Sequence, residues 1–446
     1  MSAENKDVNV NPSTPTPEEH PVNTKPQAAE AAEAAAPAPE SPITPGFKFK
    51  QLPKSSRMLW VLILGMLAAF GPVCTDIYLP ALPDLTQSFR TDPSVIQLSL
   101  TACFLGLALG QIVVGPISDA VGRRGPLVLS LIIFALSSFF CSLAPTVQIL
   151  IVLRFFQGLA GAGGVVLCRS IACDMFMGNE LTKFMALLMT VNSLAPILGP
   201  IAGSGIVSFF SWHWLFIFLS VWGILLLAGS IVCLRETLPR EKRQSRLTRA
   251  VKDMFLQLFE KRFLCLALGM SMVMGGFFAY LAASPFVFQV IYGFSAVEYS
   301  FVFGFNALCI TICALAAGRF ERRLGGKFLV NLSFIVMIAA SALMLFCAVA
   351  KPESPLLVII ALACFTAMIG SSQTPGFGIV MAARTKGAGA ASGIFGIMGF
   401  VLGSLTSPLV GLMGDTSMLP LALCMIISAV FSYILFNVGI RLKKSE

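Results

Sequence analysis

Residues 95–124 read VIQLSLTACFLGLALGQIVVGPISDAVGRR: an uncharged apolar run from Val95 to Gly115 that leads into Gly115-Pro-Ile-Ser-Asp119-Ala-Val-Gly122-Arg123-Arg124. About 20 apolar residues cross the hydrocarbon core of a bilayer as a helix. The run is therefore long enough to span, and the acid, glycine and two arginines after it mark a charged turn at the membrane surface. Similar runs follow along the chain. The first half has Met58 to Tyr78, Val95 to Gly115, Gly125 to Ala144, Val147 to Cys173, Phe184 to Phe210 and Trp212 to Leu234. The second has Phe263 to Gln289, Tyr299 to Gly318, Phe328 to Ala350, Pro355 to Ala383, Ala388 to Met413 and Met418 to Ile440.

Composition agrees with this reading. Of 446 residues, 56% are hydrophobic and 12% charged, where a soluble domain carries about a quarter charged. Mean hydropathy is +0.84, which excludes a soluble fold. Inside hydrocarbon each backbone amide must bond within its own segment or to other protein. Barrel strands would alternate apolar and polar residues over about ten positions, and these runs are continuously apolar. The expected fold is an all-α membrane protein with twelve transmembrane helices.

The spans fall into two groups of six that look like repeats. Gly115, Gly122 and Arg124 recur as Gly318, Gly325 and Lys327, and Leu198-Gly199 recurs as Leu402-Gly403. The expected domains are a first half over 57–234, a basic linker over 235–262 and a second half over 263–440. Residues 1–46, with nine prolines and an Ala/Glu run, read as a disordered tail without a secretory signal. The first helix then acts as an uncleaved insertion signal. Basic residues gather at alternate ends: Lys48, Lys50, Lys54 and Arg57, then Arg123 and Arg124, then the linker, then Arg319, Arg322, Arg323 and Lys327. The opposite loops offer Arg90 and Lys351. The positive-inside rule therefore puts both termini in the cytoplasm. It also accounts for the net charge of +9 without a nucleic-acid partner. The twelve cysteines show no CxxC pair, and His20 and His213 are the only histidines, so neither a metal nor a cofactor is expected.

Within the spans only Asp76, Arg154 and Arg169 carry formal charge. A charge at the centre of a membrane helix costs about 2.5–3.5 kcal/mol on insertion scales, so each is a functional candidate. A carboxylate in a poorly hydrated cavity favours its neutral form and can take and release a proton; by position, Asp76 reads equally well as a solvated acid at the outer interface. Guanidinium does not deprotonate, so Arg154 either tunes an acid, binds a polar substrate group or braces backbone carbonyls. Arg169 lies nearer the cytoplasmic end and can snorkel there. In the loop, Gly122 suits a positive-φ turn, and Asp119 suits a helix N-terminus or an arginine. In the fifth span, Pro196, Gly199, Pro200 and Gly203 weaken the helix and permit close packing.

Together these residues resemble the motifs of the major facilitator superfamily. Gly115 to Arg124 is similar to its helix 2 to 3 loop motif. Val152-Leu-Arg154-Phe-Phe-Gln157-Gly158 is similar to its helix 4 motif. Leu198-Gly199-Pro200-x-x-Gly203 is similar to the helix 5 motif of antiporters, with Ser204 in place of a second glycine. Thr75-Asp76-Ile-Tyr78-Leu-Pro80, Arg169-Ser-Ile-Ala-Cys173-Asp174 and Ser211-Trp212-His-Trp214 resemble the bicyclomycin and chloramphenicol resistance (Bcr/CflA) branch.

The resemblance implies a proton-coupled multidrug antiporter of the plasma membrane (the inner membrane in a Gram-negative cell) that acts as a monomer. Its partners would be protons, a small-molecule substrate and the bilayer. It further implies that Asp76 couples to protons with help from Arg154, and that Asp119 and Arg123, with Gly115, Gly122 and Arg124, gate the conformational change. Gly199, Pro200 and Gly203 would shape a pliable interface between the halves. Ala68 occupies a position where related carriers often hold another acid. Pocket walls are expected from helices 1, 4, 5, 7, 8 and 10, with Asp76, Tyr78, Asn192, Gln289, Asn306 and Gln373 as candidate substrate contacts. The last four can equally be interhelical hydrogen bonds. An exporter or importer of one metabolite, such as a nucleoside or sugar derivative, is the alternative. A membrane sensor or enzyme is disfavoured because no nucleophile–base pair or phosphate loop is found.

Overall fold

The structure, a computed structural model, describes residues 54–240, 243, 258–384, 388–414 and 416–442. The tail over 1–46 and most of the linker lie outside these residues. Fourteen α-helices occur among the described residues: α1 (Lys54–Ala68), α2 (Phe70–Asp76), α3 (Leu82–Phe89), α4 (Pro93–Val121), α5 (Arg124–Ser142), α6 (Val147–Met175), α7 (Gly178–Phe209), α8 (His213–Cys233), α9 (Lys261–Pro285), α10 (Ala296–Leu324), α11 (Gly326–Ala350), α12 (Leu356–Ala382), α13 (Ala388–Thr406) and α14 (Leu419–Arg441). No strand occurs among them. Eleven helices are long and apolar enough to span a membrane, and α1 with the broken helix that follows it makes a twelfth span, bent by 48°.

That first span is less regular than the sequence suggested, and proline explains why. Pro72 has no N–H to donate to the carbonyl of Ala68, so the helix is interrupted at Ala69 and resumes as α2. A second interruption follows Asp76, where Pro80 and Pro83 occupy the opening positions of the short turn Leu79–Ala81 and of α3. The second span departs in the other direction. Helix α4 does not stop at Gly115 but continues through Pro116 to Val121, so most of the expected Gly115 to Arg124 loop is helix. Only Gly122, at φ 110°, and Arg123 connect it to α5.

The internal repeat extends to backbone geometry. Helices α4 and α10 are both 29 residues long, and each ends at a positive-φ glycine, Gly122 at 110° or Gly325 at 81°. Their starts and ends are both 203 positions apart.

Contacts sort the helices by half. In the first, α4 packs on α6, α5 packs on α6 and α8, and α2 packs on α7; in the second, α9 packs on α13 and α14, and α12 packs on α10 and α11. The principal contacts between the two sets are α4 with α13 and α7 with α10. Lipid tails are as apolar as leucine, so helix association in a bilayer depends on close backbone approach. Glycine provides it: a Cβ on Gly158 would collide with the Cys103 carbonyl, and one on Gly106 with the Phe155 carbonyl, at the α4–α6 contact. Large apolar side chains such as Leu129, Leu225 and Leu315 are exposed, as a lipid-facing surface requires.

Overpacking costs typically about 1–3 kcal/mol. Gly158→Ala is therefore expected to lower the thermal unfolding midpoint of the detergent-purified protein. Gly318→Ala, where an added Cβ meets nothing within 4 Å, should leave it unchanged; equal midpoints for the two variants would contradict this packing account.

Candidate functional site

Among the described residues, the side-chain hydrogen bonds between the two sets of helices lie at one end of the bundle. Gln97 Nε2 donates to Ala282 O (3.1 Å) and Thr101 Oγ1 to Ser404 O (3.1 Å). Ser300 Oγ donates to Pro200 O (2.8 Å) and Gln289 Nε2 to Pro80 O (3.1 Å). On five helices the residues next along the axis turn to a cavity instead. On α4, Phe104, Leu107 and Gln111 follow Thr101; on α10, Phe303 and Ala307 follow Ser300; on α7, α9 and α13, Pro196, Leu281 and Phe400 precede the tied Pro200, Ala282 and Ser404. The bundle is closed at the end bearing Pro80 and Ser300. A cavity of about 470 Å³ extends from there toward the end with the basic loops.

Aromatic rings from both sets line the cavity. Phe104 and Phe278 stack with centroids 4.1 Å apart, Phe400 lies 5.8 Å from Phe278, and Tyr280 stacks on Phe303 at 5.7 Å. The polar lining includes Thr75, Asp76, Gln111, Arg169, Asn192 and Tyr280. Of the described lining residues only Asp76 and Arg169 are charged.

Asp76, the last residue of α2, is 4% exposed, and its Oδ1 accepts a 2.8 Å hydrogen bond from Thr75 Oγ1. No cation pairs with it among the described residues. The fifth-span glycines seat it: a Cβ on Gly199 would lie 3.3 Å from Asp76 Cβ, and one on Gly203 would collide with the Ile77 carbonyl. Asp76 thus sits where a broken helix meets a glycine face, and not at a wetted outer surface.

Arg154 is fully buried and does not line the cavity. Its Nη1 donates to Cys74 O (3.1 Å) and to Gln157 Oε1 (2.6 Å), and its guanidinium lies 4.4 Å from the centroid of the Tyr78 ring. Its Nε and Nη2 have no hydrogen-bond partner among the described residues. Neither a hydrogen bond nor an ion pair joins Arg154 to Asp76 among the described residues. It holds the backbone of α2 two residues before the acid.

Of the candidate substrate contacts, Asp76 and Asn192 line the cavity and the other four do not. Tyr78 OH bonds Ser99 Oγ (2.9 Å), Asn306 Nδ2 donates to Tyr280 OH (3.0 Å), Gln373 Nε2 donates to Met270 O (3.3 Å), and Gln289 ties the closed end. The expected walls also need correction: α4 and α13 contribute, and α12, the tenth span, does not. Those two helices face each other across the junction of the halves, which puts their inner faces on the cavity. Sequence reasoning passed over Tyr280, Gln111 and Thr311. Only the rotation of each helix about its own axis separates them from lipid-facing residues of the same type.

At the basic end, Arg123 bonds Asp119 (2.5 Å), Asp174 (3.0 Å) and Ser118 Oγ (2.7 Å), and Thr237 Oγ1 also donates to Asp174 (3.0 Å). Asp119 therefore pairs with an arginine. The α5 N-terminus goes instead to Glu236, a residue the sequence did not single out. Its carboxylate accepts from the backbone N–H groups of Arg123 (2.8 Å) and Arg124 (3.2 Å), where the helix dipole favours an anion. Arg124 Nη2 in turn bonds the Ile231 carbonyl near the end of α8 (2.8 Å). All these partners belong to the first half or to the residues just after α8.

The Major Facilitator Superfamily profile matches residues 61–408. An uncharacterized MFS-type transporter of Bacillus subtilis, YdgK, is 39% identical over 384 residues, 85% of this chain and 95% of that protein. A bicyclomycin resistance protein homologue of Haemophilus influenzae is 30% identical, covering 64% of this chain and 71% of its own length. The multidrug resistance protein MdtL of Vibrio parahaemolyticus is 25% identical over 80% and 92% of the two chains. Among solved structures, an inward-facing bacterial homologue of the human lysosomal transporter Spinster superposes with TM-score 0.69 at 16% identity, covering 88% of this chain and all of that one. With this profile match, these relatives and a twelve-span helical bundle around a central cavity, the chain belongs to the major facilitator superfamily of membrane transporters, in a branch like that of the bicyclomycin resistance proteins.

Proposed function

We propose that the protein is a proton-coupled antiporter that exports small, largely apolar compounds by alternating access. The observation that carries this reading is Asp76: among the described residues it is the sole carboxylate lining the cavity, buried at its closed end with one hydroxyl partner and no cation. Such a group can hold either a proton or a polar group of the cargo, and that competition is what antiport needs. The stacked phenylalanines suit apolar cargo. The names of two relatives, a bicyclomycin resistance homologue and a multidrug resistance protein, point the same way. With the basic loops in the cytoplasm the cavity faces inward, both termini are cytoplasmic, and this is the state that loads cargo. One chain encloses the whole cavity, so a monomer suffices.

In this scheme cargo entering from the cytoplasm favours release of the Asp76 proton, and a proton arriving from outside displaces cargo after the halves rock. The glycines at 199 and 203 let α7 move against the interrupted first span. The Arg123 cluster acts as the gate: in this state its charges pair within the first half, which leaves the second half free to separate at the basic end.

In proteoliposomes with an imposed pH gradient, Asp76→Asn is expected to reduce gradient-driven drug transport to the protein-free background while the purified variant still unfolds as wild type. Gradient-driven transport at the wild-type rate would remove the basis of the proposal. For the gate, Glu236→Lys puts a cation at the α5 N-terminus, which helix dipoles disfavour by about 0.3–1 kcal/mol. Maximal transport rate should fall with cargo affinity changed less than about twofold. A selective loss of affinity would instead place Glu236 at the substrate site.

A further inference from the structure

Two arginines lie on α6, and the fold treats them differently. Arg154 is fully buried and bonded to Cys74 and Gln157. Arg169 is exposed and lines the cavity, and its side chain makes no hydrogen bond or ion pair with a described residue. It does not brace the fold, and because it faces the cavity it does not serve the lipid surface either. A guanidinium within a membrane helix faces a polar partner or a water-filled cavity, where it marks a substrate path, and among the described residues no acid pairs with this one.

Its position relative to Asp76 follows from one contact. A Cβ on Gly71 would lie 3.7 Å from Val165 Cγ2, so α2 and α6 pass side by side there. From that point Asp76 lies five residues along α2, and Arg169 four residues along α6 in the opposite direction. At 1.5 Å per residue the two backbones stand about 13 Å apart along the helix axes. The acid sits at the closed end of the cavity and the arginine toward the basic end, with Phe104, Phe277, Phe278 and Phe303 among the residues that complete the lining.

We propose that Arg169 is a specificity-determining residue and that the preferred cargo is dipolar: an apolar, preferably aromatic body with a cationic or donor group for Asp76 at one end and a carboxylate for Arg169 at the other. This deepens the antiport reading and rests on it for direction. Charge explains why both ends matter. A purely anionic cargo would bind better once Asp76 is protonated, which couples cargo and proton in the same direction. A cargo that also presents a cation or donor loses its partner when the proton arrives, so exchange is preserved. Guanidinium binds carboxylate through two parallel hydrogen bonds, and net hydrogen bonds to charged groups contribute about 1.5–3 kcal/mol, about tenfold or more in affinity.

The test is isothermal titration of the full-length protein in detergent, at one fixed pH, with three probes that share a rigid biphenyl body. These are 4′-(aminomethyl)biphenyl-4-carboxylate, its methyl ester, which keeps the ammonium and replaces the carboxylate by a neutral ester, and 4′-methylbiphenyl-4-carboxylate, which keeps the carboxylate and lacks the amine. Wild type is expected to bind the zwitterion about tenfold more tightly than the ester. Arg169→Gln should abolish that preference without weakening ester binding, and Arg169→Lys should keep part of it. The proposal is overturned if wild type shows no preference for the zwitterion, if Arg169→Gln retains it, or if that variant weakens zwitterion and ester alike. No proton gradient is present, so this result is independent of the Asp76→Asn transport assay: failure there with discrimination intact would sink proton coupling and leave the cargo assignment standing.

Discussion

An interrupted helix survives in a bilayer only where other protein covers its unpaired backbone groups. The first span is interrupted twice, on either side of α2, and Asp76 closes that short helix. Two features make the arrangement tenable. Glycines at 199 and 203 let α7 come within contact of residues 76 and 77, and the Arg154 guanidinium takes up the Cys74 carbonyl from the other side. The acid is held where a broken backbone meets a glycine face, with the backbone two residues before it tied to Arg154, and the cavity forms around that point.

The cavity owes its shape to an asymmetry along the bundle. Hydrogen bonds to the carbonyls of Pro80, Pro200, Ala282 and Ser404 join the halves at one end, and the described ion pairs of the other end stay within the first half. Small residues let helices approach at the ties: a Cβ on Gly411 would collide with Ser94 and Gln97. The opening is thus a consequence of which contacts cross the junction. A transporter that alternates must exchange these few neutral hydrogen bonds for a comparable set at the opposite end, an energetically modest rearrangement.

Much of the architecture could be read before any coordinates. The twelve spans, the repeat and the rarity of intramembrane charge are all local properties of the chain, and the matched lengths of α4 and α10 extend the spacing of Gly122 and Gly325 into geometry. Where the reading failed, the cause was partnering. Pro116 lies inside α4, as proline can in a membrane helix where neighbouring groups satisfy the freed backbone, so a loop motif turned out to be largely helical. Tyr78, Asn306, Gln289 and Gln373 have the right chemistry for ligand contacts, but each is occupied by Ser99, Tyr280, Pro80 or Met270.

Sequence alone determined that the chain is a helical membrane protein, where its spans lie and which side chains are too costly to sit in them without a role. Insertion into a bilayer is governed residue by residue through transfer free energy, so a linear pattern suffices for these conclusions. Tertiary structure alone decided that Asp76 faces a cavity, that Arg154 braces while Arg169 stands open, and that Glu236 occupies a helix terminus more than a hundred residues away from it in sequence. Those outcomes depend on how each helix is rotated about its axis and on what its neighbours offer, and no periodicity in one segment records the face presented by another.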